Sequence, residues 1–248
     1  IKFSTRFIFA LSLLYLFCSC RQFALQQVEG ESIAIINPGE EDNHIAEMIK
    51  PYRDSLSVTM GEIIGVSAME MKKGFPEGLL GNFVANLMLE MTNNQMADKV
   101  DFAFTNNGGL RSVLPQGNVS LRNIYELMPF ENEIIILNMD YGQLQQLFEY
   151  IGTGQELAVS GIRLEFKNDQ IITATINDMR IDPGKTYRVA TIDYLANGGS
   201  GMSFLENVVK RELIGIRLRD MIIDYIKLKQ SMKELISAKL DERIKINE

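Results

Sequence analysis

After Cys20 the 248-residue chain contains no cysteine, and its single histidine is His44. A zinc finger or ribbon needs three or four Cys/His ligands, and Cys18 and Cys20, one residue apart, would close a strained ring. Whatever folds beyond Cys20 must therefore be held by apolar burial alone. The hydrophobic share of 46% supplies a core for one large domain or one domain with appendages. The net charge of −7 comes with scattered Lys and Arg, so no basic face for a nucleic-acid polymer is evident. A Ser-His-Asp triad would have to recruit His44, which sits in an acidic stretch without a nucleophile motif. His44 reads as an exposed helix residue.

Lys2 and Arg6 precede an apolar run from Phe7 to Phe17. A short basic head and an apolar stretch of this size read as a secretory signal, whereas a membrane span needs about 20 residues. The run closes on Leu16-Phe17-Cys18-Ser19-Cys20, where Cys20 behind the small Ser19 fits a lipid-acceptor cysteine. Ordinary signal cleavage is the alternative. The expected organisation is a lipoprotein signal peptide over 1–20, a tether over 21–40 punctuated by Gly30, Pro38 and Gly39, and one folded domain over 41–248. The expected location is the periplasmic or cell-surface face of a bacterial membrane, reached through the lipid.

Apolar spacing predicts helices over 42–55, 79–91, 121–128, 141–151, 204–213 and 218–228, with 231–239 as a further helix or a continuation. Strands are expected over 62–69, 102–104, 134–139, 162–166, 171–176 and 187–192. The order is mixed and the strands cluster late, which favours an α+β fold, a mixed sheet with flanking helices.

Three loops carry the chemistry. In Asn106-Asn107-Gly108-Gly109-Leu110-Arg111, two glycines after an apolar strand allow a tight bend whose N–H groups can face an anion. Arg111 adds a planar cation suited to phosphate oxygens. In Pro129-Phe130-Glu131-Asn132, Phe130 is either a core residue or a stacking face. In the stretch Asp193 to Gly201, Tyr194 is either core or a second stacking face, followed by Asn197, Gly198, Gly199 and Ser200.

Taken in series, Asn-Asn-Gly-Gly-Leu-Arg, Met-Pro-Phe-Glu-Asn and Asp-Tyr-Leu-Ala-Asn-Gly-Gly-Ser-Gly resemble the C-terminal, substrate-binding domain of the 5'-nucleotidase family. Leu80-Gly81-Asn82 and Asp241-Glu242-Arg243-Ile244 also resemble that family, so the likeness covers about 55–246. It implies a nucleoside held between two aromatic rings, here Phe130 and Tyr194. Asn106 would then meet the base, Arg111 the phosphate and Asn132 a further polar group. Gly108, Gly109, Gly198 and Gly199 would shape the loops, with Asn197 and Ser200 in the last one.

The sequence departs from the family pattern in three places. Ser200 stands where the family carries an acidic residue for the ribose. A second phosphate-binding Arg is missing ahead of Leu80, where Lys72 and Lys73 lie nearby. Tyr194 stands where Phe is usual. The family's Asp-x-His and Gly-Asn-His-Glu metal motifs do not occur, and one histidine leaves no room for them. The resemblance thus implies a nucleotide- or nucleoside-phosphate-binding domain with no catalytic residue and no metal or cofactor of its own. It would work beside a separately encoded metallophosphoesterase that carries two divalent metals. The alternatives are a stand-alone nucleotide-binding lipoprotein and a degenerate structural module.

Overall fold

The computed structural model describes residues 42–208 and 210–247. The expected signal peptide, Cys20 and the tether lie outside the described residues. The sheets and the site belong to one compact unit, Lys50–Glu248.

Helix α1 (Asn43–Met60) is longer than its spacing suggests, carries Pro51 in its interior, and has no buried residue; His44 is exposed on it. Strand β1 (Ile63–Ser67) follows, and then α2 (Leu79–Gln95). Leu80, Phe83, Val84, Leu87, Met88 and Met91 recur at helical spacing along α2, and all are buried. Each such side chain contributes about 1.5–3 kcal/mol by leaving water. Gly81 lets α2 approach the sheet closely: a Cβ there would stand 3.0 Å from the Ala158 Cβ.

Then come β2 (Phe102–Asn106), a 3-10 turn (Asn107–Gly109), β3 (Gly117–Ser120) and α3 (Leu121–Leu127). Strand β4 (Glu133–Met139) leads into α4 (Tyr141–Gly152). Ser120 with Asn123 and Asp140 with Gln143 form capping boxes that satisfy the first N–H groups of α3 and α4. Strands β5 (Leu157–Ser160), β6 (Ile162–Lys167), β7 (Gln170–Ile176), β8 (Met179–Arg180) and β9 (Tyr187–Ile192) precede the one-turn helix α5 (Asp193–Ala196). The chain closes with β10 (Lys210–Arg217), α6 (Leu218–Ser231) and β11 (Ile244–Asn247).

The central sheet has the order β10-β4-β9-β2-β5; only the β9–β2 pair is parallel. A second sheet has the order β11-β6-β7-β8, with β11 parallel to β6, and β1 pairs with β3. Helix α2 packs on β2 and β5 and against α6, while α4 lies against β4 and β7. The fold is α+β with mixed sheets and flanking helices, as the sequence led us to expect.

Two expected helices are not present. Residues 204–213 form a 3-10 turn (Ser203–Leu205) and then the start of β10, which pairs antiparallel with β4 from Lys210↔Asn138 to Leu213↔Ile135. Tertiary pairing overrides the local apolar spacing here. The segment 231–239 is not helical beyond Ser231. Lys233 turns into the left-handed region at φ 60°, and Ile236 then joins β1, donating from its N–H to the Val66 carbonyl at 3.0 Å and accepting from Ala68 N–H at 3.0 Å.

Candidate ligand-binding cleft

The first loop leaves β2 at Asn106 and is pinned from beneath by Asn107. That residue is 2% exposed, and its backbone N–H donates to the Glu156 carbonyl at 3.1 Å. Asn106 lies over the glycine pair: a Cβ on Gly109 would meet its Oδ1 at 3.2 Å and one on Gly108 its Nδ2 at 3.4 Å. Arg111 N–H donates to the Leu127 carbonyl at 2.8 Å, which ties this loop to the end of α3 just ahead of Phe130. The Arg111 side chain is exposed, reaches its own loop at the Gly108 carbonyl (3.4 Å), and pairs with no carboxylate among the described residues.

The second loop is fastened by Arg219, which is 5% exposed. Its guanidinium donates to the carbonyls of Met128 and Phe130, both at 3.5 Å, pairs with Glu131, and lies 4.5 Å from the Tyr125 ring centroid. Arg217 pairs with Glu131 from the other side at 2.8 Å. The Arg219 hydrogen bond holds the Glu131 carboxyl below the usual carboxylate range, with the charges of Arg219 and Arg217 acting in the same direction. Leu218 N–H closes the loop on the Asn132 carbonyl at 2.9 Å.

The third loop carries Tyr194 on α5. Gly198 is left-handed (φ 83°), and a Cβ there would run into the Glu206 carboxylate. Ser200 is also left-handed at φ 56°. Its N–H donates to Tyr194 Oη at 3.2 Å, its carbonyl accepts from Tyr150 Oη, and its Oγ accepts from Asn106 Nδ2 at 3.4 Å, joining the third loop to the first. Burial, followed by the neighbouring Tyr194, raises the Tyr150 hydroxyl above its ordinary value.

These loops enclose one cleft of about 430 Å³, lined by Asn106, Gly108, Gly109, Arg111, Phe130, Asn132, Tyr194 and Ser200. Phe130 and Tyr194 are 43% and 48% exposed, so neither is a core residue. Arg111 is the only charged residue of the lining. The arrangement offers two aromatic rings, amide groups and one cation, and suits a planar ring bearing an anionic group. Three residues singled out from the sequence do not line the cleft. Asn197 Oδ1 accepts from Arg211 at 3.0 Å, Gly198 makes the turn, and Gly199 underlies Tyr194. Lys72 and Lys73 stand apart from the lining as well, and Lys72 pairs with Glu70 at 2.6 Å. Among the described residues, no three His, Cys, Asp or Glu side chains are grouped to hold a metal ion. A second cleft of about 240 Å³ beside Arg163 and Arg243 carries charges of both signs that largely pair among themselves.

Arg219, Asp193 and Tyr150 support the site without having been singled out from the sequence. Asp193 opens the third loop's motif, but its bond to Glu133, like the partners of Arg219 and the Tyr150 bond to Ser200, lies far away in the chain and leaves no local signal.

The chain matches the family described as 5'-nucleotidase, C-terminal domain, over residues 59–207, and it belongs to that family. It is 26% identical over 194 residues to Protein UshA of Escherichia coli, covering 72% of this chain and 34% of that protein. It is 28% identical over 150 residues to an apyrase of Tabanus yao, covering 52% of this chain and 27% of the apyrase. The chain thus spans between about a quarter and a third of the length of these relatives. The crystal structure of a 5'-nucleotidase precursor from Thermus thermophilus shares the fold, with a TM-score of 0.71 at 23% identity over 83% of this chain and 43% of that one.

Proposed function

We propose that the cleft binds a nucleotide or nucleoside phosphate on behalf of a 5'-nucleotidase-type hydrolase. The observation that carries this reading is the meeting of Phe130, Tyr194 and Arg111 in one cleft from three separate loops. Each ring offers a face to a base, and stacking of this kind contributes about 1–3 kcal/mol per base. Arg111, exposed and without a carboxylate partner among the described residues, is available to phosphate oxygens. Asn106 and Asn132 supply donors and acceptors for base or sugar.

The metals and the attacking water of such a hydrolase would be supplied by a metallophosphoesterase domain on a separate chain, and this domain would present the substrate to it. In this reading the chain is exported and held at a bacterial membrane by lipid on Cys20. The test is AMP hydrolysis with Mn²⁺, Zn²⁺ or Co²⁺ by the purified chain alone and after addition of a metallophosphoesterase encoded beside it. Turnover only in the mixture is expected; robust metal-dependent turnover by the pure chain would contradict the division of labour. In a bacterial host, labelled fatty acid is expected on the wild type and not on Cys20→Ala, and label retained by that variant would exclude Cys20 as the anchor.

A further inference from the structure

Strands β4 and β9 pair up to Ile134↔Ile192. One residue further β9 gives way to helix α5, so the backbone of residue 193 no longer runs alongside Glu133. An N–H left there without a partner would be costly. The Asp193 side chain takes the place of the missing strand. Its Oδ1 accepts from Glu133 N–H at 3.2 Å and from Tyr194 N–H at 2.8 Å.

One oxygen therefore joins the backbone of the Tyr194 turn to the strand that begins just after Phe130. The other anchors of the Phe130 loop come from Arg219 and Leu218 at the start of α6. Asp193 itself does not line the cleft. Among the described residues it makes no ion pair, so its role is that of a hydrogen-bond acceptor.

We propose that Asp193 is the positioning residue that sets the two aromatic faces of the cleft relative to one another, so that base stacking depends on a side chain the ligand never touches. This rests on the nucleotide-binding reading above. Asparagine keeps an acceptor oxygen at this place and alanine does not, so the two substitutions separate positioning from charge.

The experiment compares wild type, Asp193→Asn and Asp193→Ala by amide hydrogen exchange without ligand and by titration with adenosine and AMP. In Asp193→Ala the Glu133 and Tyr194 amides are expected to exchange about tenfold faster or more as the bridge is lost. Adenosine affinity is expected to fall about tenfold. The ratio of AMP to adenosine affinity should stay at its wild-type value, because Arg111 sits on the first loop, which neither hydrogen bond of Asp193 touches. Asp193→Asn should bind adenosine within about threefold of wild type. Unchanged exchange at both amides in Asp193→Ala would overturn the bridge. Unchanged adenosine affinity in Asp193→Ala, or equal weakness of the Asn and Ala variants, would overturn the positioning role. Wild-type protein that binds neither adenosine nor AMP would overturn the nucleotide reading and the positioning role with it, while the exchange data would still report on the bridge.

Discussion

Tyr194 closes over the backbone of Gly199: a Cβ built on Gly199 would stand 2.6 Å from ring atoms Cε1 and Cζ of Tyr194. The same Cβ would stand 2.4 Å from the Tyr194 carbonyl oxygen, so no side chain fits there unless both the ring and the backbone of the turn move. Gly199→Ala is therefore expected to displace one wall of the cleft and to cost adenosine about 1–3 kcal/mol of binding, as much as deleting the ring. Because the clash includes the Tyr194 backbone, next to the buried Leu195 and Ala196, a lower thermal unfolding midpoint is expected as well. Titration and a melting curve on the same variant check this, and wild-type affinity in Gly199→Ala would contradict the packing.

The sequence displayed the glycine-shaped loops because glycine pairs, a flanking Arg and isolated aromatics stand out locally. That Asn106, Arg111, Phe130 and Tyr194 share one site was implied only by the resemblance of the three loops, in series, to the 5'-nucleotidase C-terminal domain. The same local reading misassigned 204–213, where Phe204, Leu205, Val208 and Leu213 fall at near-helical spacing. Pairing of β10 with β4 decides that segment instead, and Gly215 at φ 68° lies where the register shifts between Leu213 and Arg217. Asp193 and Arg219 were illegible for a related reason. Each acts on backbone groups of residues 128–133, far away in the chain, so their roles exist only once the sheet has formed.

Asp241 links stability to pH. Hydrogen bonds from Arg243, at 2.8 and 3.1 Å, hold its carboxyl below the usual range against the opposing effect of burial, and the charges of Arg243 and Arg163 add to this. A carboxyl with a depressed folded pKa contributes stability that is complete above its unfolded value of about 3.9 and is lost as pH falls through the folded value. Asp241→Asn is expected to unfold about 1–3 kcal/mol more easily at neutral pH. The gap to wild type should close as the pH drops below about 4. Urea unfolding of the two proteins across pH 3 to 8 measures it, and a gap that persists or widens in acid would contradict the assignment.

The most direct test of the central claim is titration calorimetry with AMP and adenosine on wild type, Arg111→Ala, Phe130→Ala and Tyr194→Ala. Removing either ring should weaken both ligands by about 1–3 kcal/mol and by similar amounts, because each ring supplies one stacking face. Removing Arg111 should weaken AMP more than adenosine, because only AMP carries the phosphate that the guanidinium would meet. Wild-type binding of AMP above adenosine, with that preference abolished in Arg111→Ala, is the result the account predicts. Nucleotide binding indifferent to Arg111 and to both rings would contradict it.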